Sequence, residues 1–435
     1  VAWLGTWAKR IEVTISNSNV DSDLTDFPVL LYLSASSGSG GDDVSAIFDE
    51  LTSDANRKKI AVTSSDGTTE LYVEIERWDD ASEKAWLWVK VPSVAAASVT
   101  TLYIYYDSAQ SDNTAYVGDT ESTPAENVWD SDFVLVWHMA EDPSGGTGCI
   151  KDSTSNNKDG TPAGTMTSGD LVDGQIGKGI EFDGLDDNIA VSITRLTSEG
   201  TIEIICKETG TVANYDCPIG CSSSGQTGDI CIEASSNTTI RMWIYDIGGV
   251  TDINVDFSDW CHLAWTLTGG NAAKLWEFVS GNSTTYSNAS NAIGASLEIG
   301  DADVFNSNWP GIIDEVRISQ IKRSDAWLKA SYHSNIDDLI SAFGTEEANS
   351  TVVTLTEALV MTLGLSGEVG FTVSLTNPLE ITLGFGIPMV RYVGRDMISL
   401  RSFITKDYLK DSPVEKVMEK QSRLTKFYEH ISSLR

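Results

Sequence analysis

Hydrophobic and polar residues alternate with a period of two along most of the first 345 positions, the pattern of half-buried β-strands. Leu71-Tyr-Val-Glu-Ile and Trp86-Leu-Trp-Val-Lys-Val alternate this way, and Ser65-Asp-Gly supplies a turn. The alternation predicts strands over 10–15, 27–33, 59–63, 71–77, 85–91 and 101–106, with almost no helical periodicity among them. A polar stretch from Gly118 to Asn127 then reads as a linker into a second β region over 128–345. Its predicted strands include Val134-Leu-Val-Trp-His-Met, 201–207, 240–245, 261–267 and Gly311-Ile-Ile-Asp-Glu-Val-Arg-Ile-Ser319. The fold class is therefore all-β: two tandem β-sandwiches, followed by a short β-repeat and a C-terminal α-helix.

The repeat occupies 346–387. Val353–Leu365 aligns without a gap on Val373–Phe385, with seven of thirteen positions identical, and its apolar residues fall mostly on odd numbers. So short a unit cannot bury its apolar face alone and must stack on its copy or on neighbouring chains. The texture changes again over 388–435. Ser412-Pro-Val-Glu415 is a capping box with Pro at the first helical position. Val414, Val417, Leu424, Tyr428 and Ile431, together with Gln421, follow at 3-4-3-4-3 spacing. That is the seam of a short coiled coil, or equally the apolar face of a helix packed on its own chain. These residues are the candidate assembly positions, and they favour a homo-oligomer, a trimer first, or attachment to a larger particle.

Charge narrows the partners. The net charge is −34 over 435 residues, which argues against nucleic acid because phosphates would be repelled. Residues 391–435 depart from this, with ten Lys/Arg against six Asp/Glu, so the tail is mildly basic on an acidic body. No apolar run reaches the length of a membrane span, which argues against membrane insertion. The first residue is Val1 rather than Met, which fits removal of an initiator Met or cleavage of a leader. All six Cys lie between Cys149 and Cys261, and one disulfide is expected among them.

Two resemblances accompany this pattern. Thr25-Asp-Phe-Pro-Val-Leu, Arg57-Lys-Lys-Ile-Ala-Val-Thr, Leu71-Tyr-Val-Glu-Ile-Glu-Arg-Trp, Ala85-Trp-Leu-Trp-Val-Lys-Val-Pro and Leu102-Tyr-Ile-Tyr-Tyr-Asp resemble an uncharacterised β-sandwich module. That module commonly precedes laminin-G-like domains in phage and cell-surface proteins, covers about residues 1–118 here, and has no activity to transfer. Trp137 with Asp152–Gly160, Phe182-Asp-Gly-Leu-Asp-Asp, and Ile313-Asp-Glu-Val-Arg-Ile followed by Arg323-Ser-Asp-Ala-Trp-Leu resemble a laminin-G-like, concanavalin-A-type jelly roll.

Catalytic signatures are missing: there is no G-x-S-x-G, H-E-x-x-H or Walker loop. His138 and His262 sit beside Trp or Cys in apolar strands and read as packed imidazoles. Glycosidases need two carboxylates flanking one bond, whereas Asp314 and Glu315 are adjacent and alternation sends them to opposite sheet faces. Calcium is the candidate cation, because Asp152-Ser-Thr-Ser-Asn-Asn-Lys-Asp-Gly160 packs hard oxygen donors into one turn. The jelly-roll resemblance implies Asp152, Asn156, Asp159 and Asp314 as its ligands, and the same turn equally suits Asx side chains capping their own backbone. For glycan contact, Trp309 in Asn306-Ser-Asn-Trp-Pro310 fits an exposed stacking aromatic, with Asn306 and Asn308 as polar neighbours. The expectation is a non-enzymatic adhesive surface protein, a virion fibre or spike presenting a glycan-binding jelly roll, at a virion surface or extracellular. A secreted or cell-surface carbohydrate-binding protein is the alternative, and a polysaccharide-degrading enzyme the weaker one.

Overall fold

The computed structural model describes residues 1–221, 229–245, 248–249, 251–269, 272–287, 291–302, 307–349, 380–383 and 387–391. The fold is nearly all β, with three α-helices among the described residues, Ala46–Leu51, Thr123–Glu126 and Asp325–Asn335. Residues Val1–Ala348 form one compact unit and Asn349–Arg435 another. Within the first unit, four sheets, antiparallel except for the parallel pair Val73–Asp79 and Val117–Asp119, pack as two sandwiches.

The first sandwich sets a four-stranded sheet of Leu24–Leu33, Lys84–Val94, Val73–Asp79 and Val117–Asp119 against a six-stranded one. Alternation decides which side chains meet. Leu102, Ile104 and Tyr106 of strand Thr100–Tyr106 enter the main core, while Tyr103 and Tyr105 face Trp3, Trp7 and Ala61 on the other side. The six-stranded sheet also takes strands from far along the chain. Ile340–Phe343 and Glu347–Ala348 pair antiparallel with Lys9–Ile15, placing Phe343 opposite Val13 and Glu347 opposite Arg10. Arg10 is buried there, bonded to Glu347 Oε2 at 2.7 Å and lying 4.2 Å from the ring centres of both Trp3 and Tyr103. The expected end of the second sandwich at 345 is corrected accordingly: the strands Ile340–Phe343 and Glu347–Ala348 belong to the first sandwich. Helix Asp325–Asn335 also lies on strand Leu24–Leu33, with Trp327 edge-on to Phe27 at 4.8 Å.

The second sandwich has two eight-stranded sheets. One is centred on Pro310–Ser319, which pairs with Lys178–Asp183, Glu199–Glu208 and Phe133–Trp137. The other runs through Asn188–Ser192, Ser296–Ile299, Ile219–Cys221, Ile230–Ser236 and Thr239–Ile244. Trp137, Trp265, Phe182 and Ile313 are buried between the sheets. Each large apolar side chain removed from water here contributes about 1.5–3 kcal/mol. All six Cys are free thiols, which replaces the expected disulfide; Cys217, Cys221 and Cys231 gather in a small buried group, with Cys221 Sγ 3.4 Å from Cys231 Sγ.

In the second unit, Glu380–Leu383 pairs antiparallel with Ile387–Arg391. This hairpin joins the end of the second repeat copy to the first residues of the segment expected to be helical. The candidate assembly residues Val414, Val417, Leu424, Tyr428 and Ile431 lie outside the described residues. Among the described residues no helix is long and apolar enough to cross a membrane.

Candidate functional site

The chemistry concentrates where the sandwiches meet, and two β-bulges put it there. In Val73–Asp79 the pairing with Lys84–Val94 slips between Ile75 and Arg77, leaving Glu76 as the extra residue. In Pro310–Ser319 the pairing with Glu199–Glu208 slips so that Ile204 faces Val316 and Ile205 faces Asp314, leaving Glu315 as the extra residue. Glu315 takes a positive φ of 20°. A bulge re-aims the side chain it carries. Ile313, Val316 and Ile318 point into the second core, so Asp314, Glu315 and Arg317 share the opposite face. That corrects the expectation from simple alternation, which separates Asp314 from Glu315.

His138 is the centre of this junction. Its neighbour Trp137 fills the second core, so alternation turns the imidazole toward the first sandwich. The ring stacks on Trp88 at 5.8 Å and tilts against Trp129 at 5.7 Å. Nδ1 lies 2.6 Å from Glu315 Oε1 and 3.6 Å from Glu76 Oε2, while Nε2 lies 3.4 Å from Glu74 Oε2. Every side chain in this set is at most 2% exposed. Burial pushes the imidazolium pKa down, but the charges of Glu315, Glu74 and Glu76 outweigh it and hold the ring well above its ordinary value. The packed imidazole expected at this position is thus enclosed by three carboxylates.

The carboxylates are held by fixed donors. Glu74 accepts from Thr120 Oγ1 at 2.7 Å, Ser153 Oγ at 2.7 Å and Trp129 Nε1 at 2.6 Å. Trp88 Nε1 donates to Glu76 Oε2 at 2.8 Å. Arg317 donates twice to Glu315 Oε2, at 2.9 and 2.6 Å, with its guanidinium 4.4 Å from the Trp88 ring centre. Burial lifts Glu76 to about 8, helped by the negative charge of Glu315 and opposed by His138. Glu315 moves the other way: burial would raise it, but His138 and Arg317 bring it below the ordinary value. Burial also drives Asp314 well up, with the charges of Glu315 and Glu76 adding to it. Gly177 closes the site from one side at φ +50°; a Cβ there would stand 2.5 Å from Glu76 Oε1.

Glu76 also lines an open cleft of about 530 Å3 beside the junction, together with Arg57, Trp78, Asp119, Glu141 and Lys151. Trp78 Nε1, Glu76 Oε1 and Glu141 Oε2 are buried and have no hydrogen-bond partner within the protein. The cations of the cleft are engaged: Arg57 donates to both oxygens of Asp119 at 2.8 Å, and Lys151 pairs with Glu121 at 2.8 Å and Asp159 at 3.0 Å. Burial lifts Glu141 to about 7, against the pull of His138.

Of the candidate ligand residues singled out from sequence, Asp314 borders this junction and the others lie elsewhere. Trp309 is fully buried, edge-on to Phe257 at 5.3 Å, which corrects its expected exposure. Asn308 donates to the Leu185 carbonyl at 2.6 Å, and Asn306 lies outside the described residues. Asp152 is buried and accepts from Val136 N, Thr154 N, Thr154 Oγ1 and Lys158 N, so its carboxylate organises its own turn. Asp159 accepts from Asp152 N at 3.1 Å; Asn156 instead donates to the carbonyls of Phe133 and Val134. Asp314 accepts from Ile176 N at 2.8 Å and Glu315 N at 2.7 Å. Among the described residues, the groups of three or more His, Cys, Asp or Glu with ligand atoms within 4.8 Å of one another are Glu76/His138/Glu315 and Asp183/Asp186/Asp187. The structure therefore brings Asp152 and Asp159 together but gathers neither with Asp314. Glu74, Glu76, Trp88, Glu141 and Arg317 were absent from the expected site, and period two cannot find Glu76 or Glu315 because each breaks it.

A domain family of unknown function, DUF2341, matches residues 56–133. The matched stretch contains Glu74, Glu76, Trp88 and Trp129, and it overlaps the module that residues 1–118 resemble. No curated protein matches the chain significantly. Among solved structures, domain 4 of AbnA, a GH43 extracellular arabinanase from Geobacillus stearothermophilus, in complex with arabinotriose, is 16% identical, with 46% of this chain and 97% of that chain covered and a TM-score of 0.35. The binding domain of Paraclostridial Mosquitocidal Protein 1 is 16% identical, covering 47% of this chain and 52% of that one, with a TM-score of 0.35. The binding domain of Botulinum Neurotoxin DC in complex with SialylT is 11% identical, covering 47% and 52%, with a TM-score of 0.36. This chain thus spans about half the length of the two toxin binding domains. Likenesses of this size carry no argument about fold or ligand.

Proposed function

We propose that this chain is a non-catalytic adhesive surface protein that binds a neutral glycan in the cleft beside the junction of its two sandwiches. The observation that carries the reading is one cleft of about 530 Å3 whose lining residues Trp78, Glu76 and Glu141 each hold a buried polar atom without a protein partner, Nε1, Oε1 and Oε2. Unpaired buried groups cost free energy until a ligand or solvent meets them. A sugar hydroxyl both donates and accepts, so it suits a carboxyl oxygen and an indole N–H side by side. The volume falls in the range of small-ligand clefts, roughly 300–1,000 Å3. Neutral sugars fit better than acidic ones because Arg57 and Lys151 are already neutralised by Asp119, Glu121 and Asp159.

One feature weighs against catalysis: burial raises both unpartnered acids of the cleft, Glu76 and Glu141, to about 8 and about 7, whereas glycoside hydrolysis needs one carboxylic acid and one carboxylate. The finer reading, a virion fibre or spike, rests on sequence alone: the thirteen-residue repeat and the capped, seam-bearing helix of the tail would make an oligomer or a particle anchor.

The test is a glycan array on the full chain, with neutral, acidic and amino sugars as separate arms. A second arm uses Ala140→Trp, which fills the cleft from a half-buried lining residue without deleting any polar contact. Binding of neutral glycans that Ala140→Trp abolishes is the expected result. No binding to any neutral glycan, or equal binding by the variant, refutes the assignment.

A further inference from the structure

The geometry points to a binding site for one divalent transition-metal ion of the Zn2+ class, formed by Glu76, His138 and Glu315 at the junction of the two sandwiches. This goes beyond glycan binding and is tested without any sugar. The potential ligand atoms are His138 Nδ1, Glu315 Oε1 at 2.6 Å and Glu76 Oε2 at 3.6 Å from that nitrogen, and all lie within 4.8 Å of one another. An ion about 2.0–2.2 Å from each donor in tetrahedral array needs donors roughly 3.3 Å apart. The two distances to Nδ1 bracket that value, so Glu315 would withdraw slightly and Glu76 would close in.

Three further observations point to a ligand rather than to a bare acidic group. Glu76 Oε1 is completely enclosed and has no protein partner, so the carboxyl has unspent acceptor capacity at the site. His138 Nε2 also lacks a hydrogen-bond partner, yet it sits 3.4 Å from Glu74 Oε2. Glu74 is itself pinned by Thr120, Trp129 and Ser153. With an ion on Nδ1, the ring proton would lie on Nε2 and face Glu74, the kind of outer carboxylate that orients a ligating imidazole. Outer partners orient the other two ligands as well, Trp88 through Glu76 Oε2 and Arg317 through Glu315 Oε2.

The donor set selects the ion. One imidazole and two carboxylates suit Zn2+ and its neighbours, whereas Ca2+ takes six to eight oxygens. Three protein ligands leave a fourth position for solvent, and Glu76, whose side chain is fully buried, borders the open cleft from which an ion would come. The competing arrangement is a purely protein charge network, in which a protonated His138 bridges the three glutamates.

The full chain, stripped with EDTA and dialysed, is titrated calorimetrically with Zn2+ and, in parallel, with Ca2+. Co2+ loading then reports the donor atoms through its visible spectrum. One Zn2+ per chain is expected, with a Co2+ spectrum free of thiolate charge-transfer bands. Glu76→Gln keeps the acceptor for Trp88 and should weaken Zn2+ affinity about tenfold or more. Asp183→Asn, in the other acidic group, should leave it unchanged, with circular dichroism confirming that both variants fold. Absence of a bound Zn2+ overturns the proposal. So does equal affinity in Glu76→Gln, preference for Ca2+, or a thiolate band, which would place the ion at Cys217, Cys221 and Cys231.

Discussion

Phe343 lies more than two hundred residues after the segment expected to form the first sandwich, yet it is buried in that sandwich's core, 6% exposed and opposite Val13. Replacing it with Ala tests whether strand Ile340–Phe343 completes that domain. Truncating a buried Phe removes its transfer free energy and leaves a cavity, at about 3–5 kcal/mol. Leu339 and Ile340 beside it are also fully packed, which limits collapse around the hole and favours the upper part of that range. Whole domains hold only about 5–15 kcal/mol of stability, so the effect is large. The assay is urea unfolding of the full chain combined with hydrogen exchange at the amides of Lys9–Ile15. Phe343→Ala should lower the first unfolding midpoint and speed exchange in that strand. Leu275→Ala, a buried residue of the other core, serves as the control and should leave exchange in Lys9–Ile15 slow. A loss under about 1 kcal/mol, or unchanged exchange in Lys9–Ile15, refutes the reasoning.

Two further outcomes are expected. Trp309→Ala should cost about 3–5 kcal/mol in urea unfolding, because the indole is fully buried against Phe257, while glycan recognition by the folded fraction stays unchanged. Loss of binding at constant stability would restore Trp309 as a contact residue. Glu141 titrates at about 7 in the folded chain against an ordinary 4.5, so over that window the folded state holds a proton that the unfolded state has released. Its contribution is fully present below about pH 4.5 and is lost as pH rises through 7, by about 3 kcal/mol at about 1.4 kcal/mol per unit. Glu141→Gln should flatten that decline between pH 5 and pH 8, and parallel wild-type and variant curves would contradict the assignment.

The all-β class was legible because alternation is a local property: Leu102, Ile104 and Tyr106 face one core while Tyr103 and Tyr105 face another. The boundary at 345 was misplaced because the pairing of Ile340–Phe343 with Lys9–Ile15 is a choice of partner, and nothing in a strand's own pattern names its neighbour. The junction site was hidden for a related reason. Glu76 and Glu315 are the extra residues of two bulges, so counting by twos gives each the wrong face. Trp309 misled because Asn-rich flanks suggest a surface loop, whereas the indole turns inward onto Phe257. Asp152 drew attention as an oxygen donor, and its oxygens are taken by the backbone N–H groups of its own turn and by Thr154.

The pairing of Lys9–Ile15 with Ile340–Phe343 and Glu347–Ala348 also orders events in time. A ribosome releases residue 9 long before residue 348, so the first sandwich begins as a sheet with Lys9–Ile15 as an open edge and Arg10 lacking Glu347. The second sandwich must fold, or at least emerge, while that edge waits. Open edges are templates for pairing with other chains. During synthesis, the vulnerable surface of this unit is therefore the strand Lys9–Ile15, and the last residues of the unit are the latch that shields it.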